Sequence, residues 1–353
     1  MRITALIIAC AGLLCSPAIA ASSVTPRPGA QIGSAESPYT SDGAYKWWDT
    51  AKGDGSDTVM DHVTVTAVQR AVNIEKPIDN LRIIDSEFIG KAPQKNTLYP
   101  AGIFAKQGTN LLVENTIIRD WKTIADDTYR QGDCFLAEWG FVGITLRNVT
   151  LSGCTDGGYD GKARDVVLDR VVSAENKINY RFWYAPVTAT SIVSINPTEA
   201  HIQLNTRADG AYGMGPASIT ADKITFISKG KQPLFWAGPG SIIAPKECAI
   251  DVAPGTLFVK FRDGGKASNV TISLGKNCTR DAQGFAVNTP TELPGFDVGE
   301  NLNDKDGDGL VELQTATTIA RINAYLKANG STVVVKDGTI LRKVGEHRYE
   351  FAQ

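Results

Sequence analysis

The chain has 353 residues, 42% hydrophobic and 21% charged, with 36 Lys and Arg against 38 Asp and Glu. That apolar fraction excludes a disordered chain and supplies enough material for one large or two medium domains. A formal charge of −2 excludes nucleic-acid binding by phosphate neutralisation, and the 34 Gly follow no Gly-X-Y period, so the chain is not collagen-like.

Residues 1–20, MRITALIIACAGLLCSPAIA, open with one basic residue, Arg2, and run apolar from Ile3 to Cys15. Ser16-Pro17 stops the run short of the ~20 residues a membrane span needs, and Ala18-Ile19-Ala20 has the spacing of a cleavage site. The segment reads as a secretory signal, which makes the mature protein secreted or periplasmic with no integral membrane segment. Its removal leaves Cys134, Cys154, Cys248 and Cys278. An even count in an exported chain favours disulfides, and of the three possible pairings Cys134–Cys154 with Cys248–Cys278 joins the cysteines nearest in sequence.

Residues 21–60, rich in Ser, Pro, Gly and Asp around Trp47-Trp48, read as an extended lead-in. From 61 to 290 a pattern recurs: NLRIIDSEFIG (80–90), NLLVENTIIRD (110–120), GITLRNVTLSG (143–153) and DVVLDRVVSAE (165–175). Aligned on Leu81, Leu111, Ile144 and Val166, the copies start 30, 33 and 22 residues apart. Short strands with alternating apolar residues, parted by Asn, Gly and Asp turns, cannot bury their own apolar face. Successive coils must therefore stack, which predicts an all-β parallel β-helix. An antiparallel sandwich also has many short strands, but it needs tight hairpins that are scarce before residue 330.

Residues 291–353 change texture, which predicts a small α+β appendage. Ile319, Ile322, Tyr325 and Leu326 place one apolar stripe on a helix, with Thr residues ahead of it and Gly330 after it as caps. Lys336-Asp337-Gly338 suggests a hairpin turn. Asp304, Asp306 and Asp308 with Gly309 match the opening of a calcium loop, although Thr315 stands where the bidentate Glu is expected. Any calcium there would be structural.

The densest chemistry lies in QGDCFLAEWG (131–140), CTDGGYDGKARD (154–165) and NKINYRFWYAP (176–186). A 22-residue offset sets Glu138 beside Asp160 and Cys134 beside Asp156. One face then gathers Asp133, Glu138, Asp156 and Asp160 with Lys162 and Arg181, flanked by Trp139, Tyr159, Lys177, Tyr180 and Trp183. Crowded carboxylates need a proton or a cation, Ca²⁺ being the hard-oxygen choice, and aromatic rings suit sugar faces. The glycines among them would turn the chain. His62, His201 and His347 are isolated, so no metal triad or Ser-His-Asp set is indicated.

The coil pattern, with DGGYDGKARDVVLD followed by NYRFW, resembles exported right-handed parallel β-helix proteins of the pectate-lyase superfamily over roughly residues 61–290. The resemblance implies a polysaccharide lyase that cleaves a uronate-containing chain by β-elimination, with Lys162 or Arg181 as base or cationic partner. Asp133, Glu138, Asp156 and Asp160 would be the calcium candidates. The long pectate-lyase motifs are absent, and no His precedes Gly as in polygalacturonases. Hydrolysis by Asp133 with Asp156, or Glu138 with Asp160, is the alternative enzyme chemistry. A glycan-binding or envelope structural β-helix is the non-catalytic one.

Overall fold

The computed structural model describes residues 23–124, 129–205, 215–262, 269–289, 296–304, 309–328, 333–345 and 348–351. The proposed signal, Asp306, Asp308, Gly330 and His347 lie outside them. Among the described residues the fold is all-β apart from one 3-10 turn and one α-helix, Ala316–Ala328, near the C-terminus.

Every pairing in the large 21-stranded sheet is parallel, and each strand bonds to one a full coil away. Leu81, Leu111, Ile144 and Val166 are true register partners, so the sequence repeat is the structural repeat. Long strands bend across corners, and three inward columns result. One stacks Trp48, Val72, Ile103, Phe135, Tyr159, Tyr180, Ile202, Phe235 and Val259. A second runs through Val65, Phe88, Ile118 and Leu151, and a third through Ile32, Met60, Ile83, Val113, Leu146 and Leu168. All these side chains are buried in one continuous core. The arrangement is β-helix-like, and it leaves no antiparallel sandwich.

Corners are set by residues in the left-handed region. Asp85, Asn115, Asn148 and Arg170 have φ of 48°, 49°, 50° and 55°. Asn and Asp tolerate this region because their short side chains bond locally. Here they also bond along the stack: Asn115 donates to Asp85 at 2.9 Å, Asn148 to Asn115 at 3.0 Å and Arg170 to Asn148 at 2.6 Å.

The stretch 21–60 is more than a lead-in. Tyr39–Asp49 and Val59–Asp61 pair with the next coil, and Trp47 and Trp48 are fully buried, so this stretch supplies the first coil. Apolar side chains at 44, 47, 48 and 60 were enough to bury it despite the polar composition.

The C-terminal unit has its own core, centred on Val311, Ile322, Leu326, Leu341 and Tyr349. Its antiparallel sheet orders Phe296–Asp297, Arg348–Phe351, Ile340–Gly345 and Leu310–Glu312. Lys336-Asp337-Gly338 turns as expected, with Gly338 at φ 74°, but no described strand precedes it. The strand after it pairs instead with Leu310–Glu312 and Arg348–Phe351. Both disulfides form as expected, with Cα–Cα distances of 5.7 Å for Cys134–Cys154 and 4.8 Å for Cys248–Cys278. No helix among the described residues is long and apolar enough to cross a membrane.

Candidate active site

Asp133–Arg147, Gly157–Gly161, Ile178–Trp183 and Ala200–Asn205 are consecutive rungs of one sheet. Between the inward aromatics, an outward row runs Leu136, Asp160, Arg181, Gln203 in register. The offset here is 24 residues, not 22, because Asp160 pairs with Leu136. From Ala137 to Val142 the upper coil spans five steps, whereas Gly161 to Arg164 takes three. Glu138 therefore misses Asp160 and meets Lys162, with Nζ–Oε1 at 2.8 Å. By the same offset Cys134 does not stand beside Asp156.

Arg181 is the hub. Its Nη1 donates to Asp160 at 2.6 Å and to Asp156 at 3.1 Å. Its Nη2 donates to Asp156 at 2.6 Å and to the Tyr129 hydroxyl at 3.0 Å, and its Nε to Gln203 at 2.9 Å. All five N–H groups are used, and only 4% of the residue is exposed. Burial alone would weaken this charge, but Asp160 and Asp156 outweigh it and push the guanidinium pKa well up. Arg181 is thus the counter-ion of the cluster, and no N–H is left for a substrate.

Asp133 completes the cluster. One carboxylate oxygen from each of Asp133, Asp156 and Asp160 lies within 4.8 Å of the others. Burial drives the Asp133 carboxyl far above the ordinary aspartate value, and Asp156 and then Asp160 push the same way against Arg181. The carboxyl accepts a backbone bond from Gly157 at 2.8 Å. None of Gly157, Gly158 and Gly161 has a positive φ, so they do not serve as turns. They make room: a Cβ on Gly157 would lie 2.7 Å from the Asp133 carboxyl, and one on Gly158 would lie 2.0 Å from Ser173.

Trp183 Nε1 donates to Asp160 at 2.7 Å, and Lys162 sits 5.8 Å from the Trp183 ring. Burial opposes the Lys162 charge, but Asp160 and Glu138 hold its pKa above the usual lysine value. A lysine kept protonated in this way is a poor base and a good fixed charge. Lys177 pairs with Glu199 at 3.3 Å and lies 4.1 Å from the Tyr129 ring. Trp139 is 44% exposed.

Tyr159 and Tyr180, expected to bind substrate, belong to the core. Both are fully buried, Tyr159 against Phe135 and Phe182, and Tyr180 with its hydroxyl on the Val171 and Val193 carbonyls. They share parity with the inward column, so no sugar ring reaches them.

Tyr129 and Gln203 were not anticipated. The Tyr129 hydroxyl lies 2.6 Å and 2.8 Å from the two oxygens of Asp156. Its ring also lines an open cleft of about 420 Å³ with Arg130, Thr155, Lys177, Thr198 and Glu199. Burial, opposed by Arg181 and aided by Asp156, raises its pKa. Gln203 was readable in principle, since it stands 22 residues after Arg181 in the same outward row. Tyr129 carried no periodic signal, because it sits in a loop.

The cluster does not fit calcium as it stands. Calcium takes six to eight oxygens, but Arg181 and Tyr129 already occupy the Asp156 and Asp160 oxygens. The guanidinium takes the cation's place. In the 304–309 loop, Asp304 Oδ2 accepts from the Gly309 N–H at 2.9 Å, which closes the turn. The other two expected ligands lie outside the described residues. No family model, curated protein or solved structure matches this chain.

Proposed function

We propose that the chain is an exported right-handed parallel β-helix of the pectate-lyase kind, acting on an acidic polysaccharide. Parallel crossovers within one sheet take the right hand almost without exception, and two disulfides suit an oxidising compartment. Of the two enzyme chemistries, glycoside hydrolysis by carboxylates fits the site better than β-elimination. The observation that carries this is the division of labour among three buried aspartates. Asp133 favours its protonated form, while Asp156 and Asp160 accept charge-assisted bonds from Arg181. Environments that drive neighbouring carboxyl groups apart are how one site obtains both an acid and a base.

In this reading Asp160, in the outward row, meets the substrate, Asp133 supplies the proton, and Arg181 with Trp183 fixes Asp160 in place. Lys177 at the cleft, and Lys162 beside Trp183, supply positive charge for substrate carboxylates. β-Elimination keeps one supporting observation, the Lys162 ammonium beside the Trp183 ring, with Lys162 neutralising the uronate rather than taking the proton.

Incubation with polygalacturonate, alginate and hyaluronan decides between them. Hydrolysis gives new reducing ends without the ultraviolet absorbance of an unsaturated product, whereas elimination gives both. Asp160→Asn should lower turnover by about 10²–10⁴-fold at unchanged fold. Absence of new ends on every polymer would leave only a binding role. Calcium in this proposal belongs to the 304–309 loop as a structural ion. EDTA should then lower the melting temperature of the C-terminal unit and leave turnover intact, and an unmoved transition removes the ion.

A further inference from the structure

The outward row of the active-site sheet continues past Gln203 to Trp236 and then Lys260. Lys260 is exposed, and its Nζ lies 4.8 Å from the Trp236 ring. No carboxylate among the described residues pairs with it. The Arg262 guanidinium stands 5.3 Å from the same ring and donates to the Asn205 side-chain oxygen. Asn205 shares its register with Trp183, which holds Asp160 one coil back. Asn205 is 4% exposed, and its Nδ2 donor has no acceptor. An orphaned buried donor costs about 1–3 kcal/mol, and it sits here next to Arg262, with Lys260 on the same Trp236 ring.

We infer that Trp236, Lys260, Arg262 and Asn205 form a second carbohydrate subsite, which takes the carboxylate of an acidic sugar two rungs along from Arg181. Rungs stack about 4.8 Å apart, so Trp236 lies about 10 Å from Arg181 along the sheet. That places the subsite within reach of the same polymer chain as Asp160. Trp236 holds the two cations near each other through its ring face, and the ligand oxygens receive the Lys260 ammonium and the Asn205 amide. The inference rests on the proposed carbohydrate function, which it deepens by naming the recognised group: a carboxylate, held away from the reacting bond.

Affinity electrophoresis in gels containing polygalacturonate or alginate, with neutral dextran as control, tests this. The wild-type chain should be retarded by the anionic polymers and not by dextran. Lys260→Gln and Trp236→Ala should each weaken that retardation about five- to twenty-fold, while Asp160→Asn retains it. Lys260 is a surface side chain, so the first variant keeps its fold, and thermal melting checks the second. Wild-type retardation that both variants reproduce overturns the subsite and leaves the catalytic proposal standing. Lack of retardation in either anionic gel overturns it as well. Retardation lost in Lys260→Gln from a chain that cleaves nothing leaves the subsite in place and ends the enzyme reading.

Discussion

Asn179 and Arg181 are two residues apart in the strand Ile178–Trp183, and each anchors a buried polar network. The Asn179 network is neutral. Its Nδ2 donates to Ser194 at 2.8 Å and to the Ile195 carbonyl at 2.9 Å, and its Oδ1 accepts from Asn176 at 3.0 Å. Ser194 lies 2.8 Å from His201 Nδ1. This network satisfies the buried polar groups of a corner of the coil. The Arg181 network crowds three carboxyl groups around one guanidinium, and burial first, with Asp156 and Asp160 adding to it, favours the protonated form of Asp133. Both are equally buried, so burial by itself does not separate the charged network from the neutral one.

Replacing Arg181 by Met should separate the two networks most sharply. It strands Asp156 and Asp160 without their cation and should cost about 3–5 kcal/mol at pH 7 in urea unfolding. A loss under about 1 kcal/mol would mean that the cluster is solvated.

The neutral network has its own pH signature. Burial, partly offset by the bond at Ser194, lowers the His201 pKa to about 3. The unfolded chain takes up this proton near pH 6.5 and the folded chain does not, so stability falls as pH drops from about 6.5 towards 3. The loss should reach roughly 3 kcal/mol at pH 4. His201→Gln should flatten that part of the wild-type profile, and identical profiles would place a water or a second partner on the ring.

Asp133→Asn should be the mildest change, under about 1 kcal/mol below the unfolded aspartate pKa of about 3.9, because an amide keeps the acceptor for Gly157 and mimics the protonated acid. A carboxyl whose folded pKa is raised favours folding below its unfolded pKa, and that advantage is lost as pH rises towards the folded value. The variant should therefore be relatively more stable as pH rises. Turnover should nevertheless fall, since the amide has no proton to give.

The coil repeat was legible because inward positions demand apolar residues at alternate places whatever the loops do. Leu81, Leu111, Ile144 and Val166 align for that reason. The register of the candidate site was not legible from one offset, because each corner inserts its own number of residues; two extra between Ala137 and Val142 moved Glu138 from Asp160 to Lys162. Composition announced the gathering of Asp133, Asp156, Asp160 and Arg181. It could not say which aromatics faced out, since Tyr159 and Trp183 differ only in parity. Lys260 and Trp236 escaped notice because their row becomes visible only once the register is known.

The corner ladder of Asp85, Asn115, Asn148 and Arg170 ties each coil only to its immediate neighbours. A whole coil, from 22 residues at Ile144–Val166 to 33 at Leu111–Ile144, is therefore a modular unit of the stack. Gain or loss of one complete unit leaves the ladder on both sides able to reconnect and moves one binding group along the groove relative to another. Gain or loss of a few residues at a corner is absorbed there, as the coils of 30, 33 and 22 residues show, and leaves the later strands facing as before. The distance between Asp160 and Lys260, and with it the length of sugar chain the proposed function would span, is in this sense a number counted in coils.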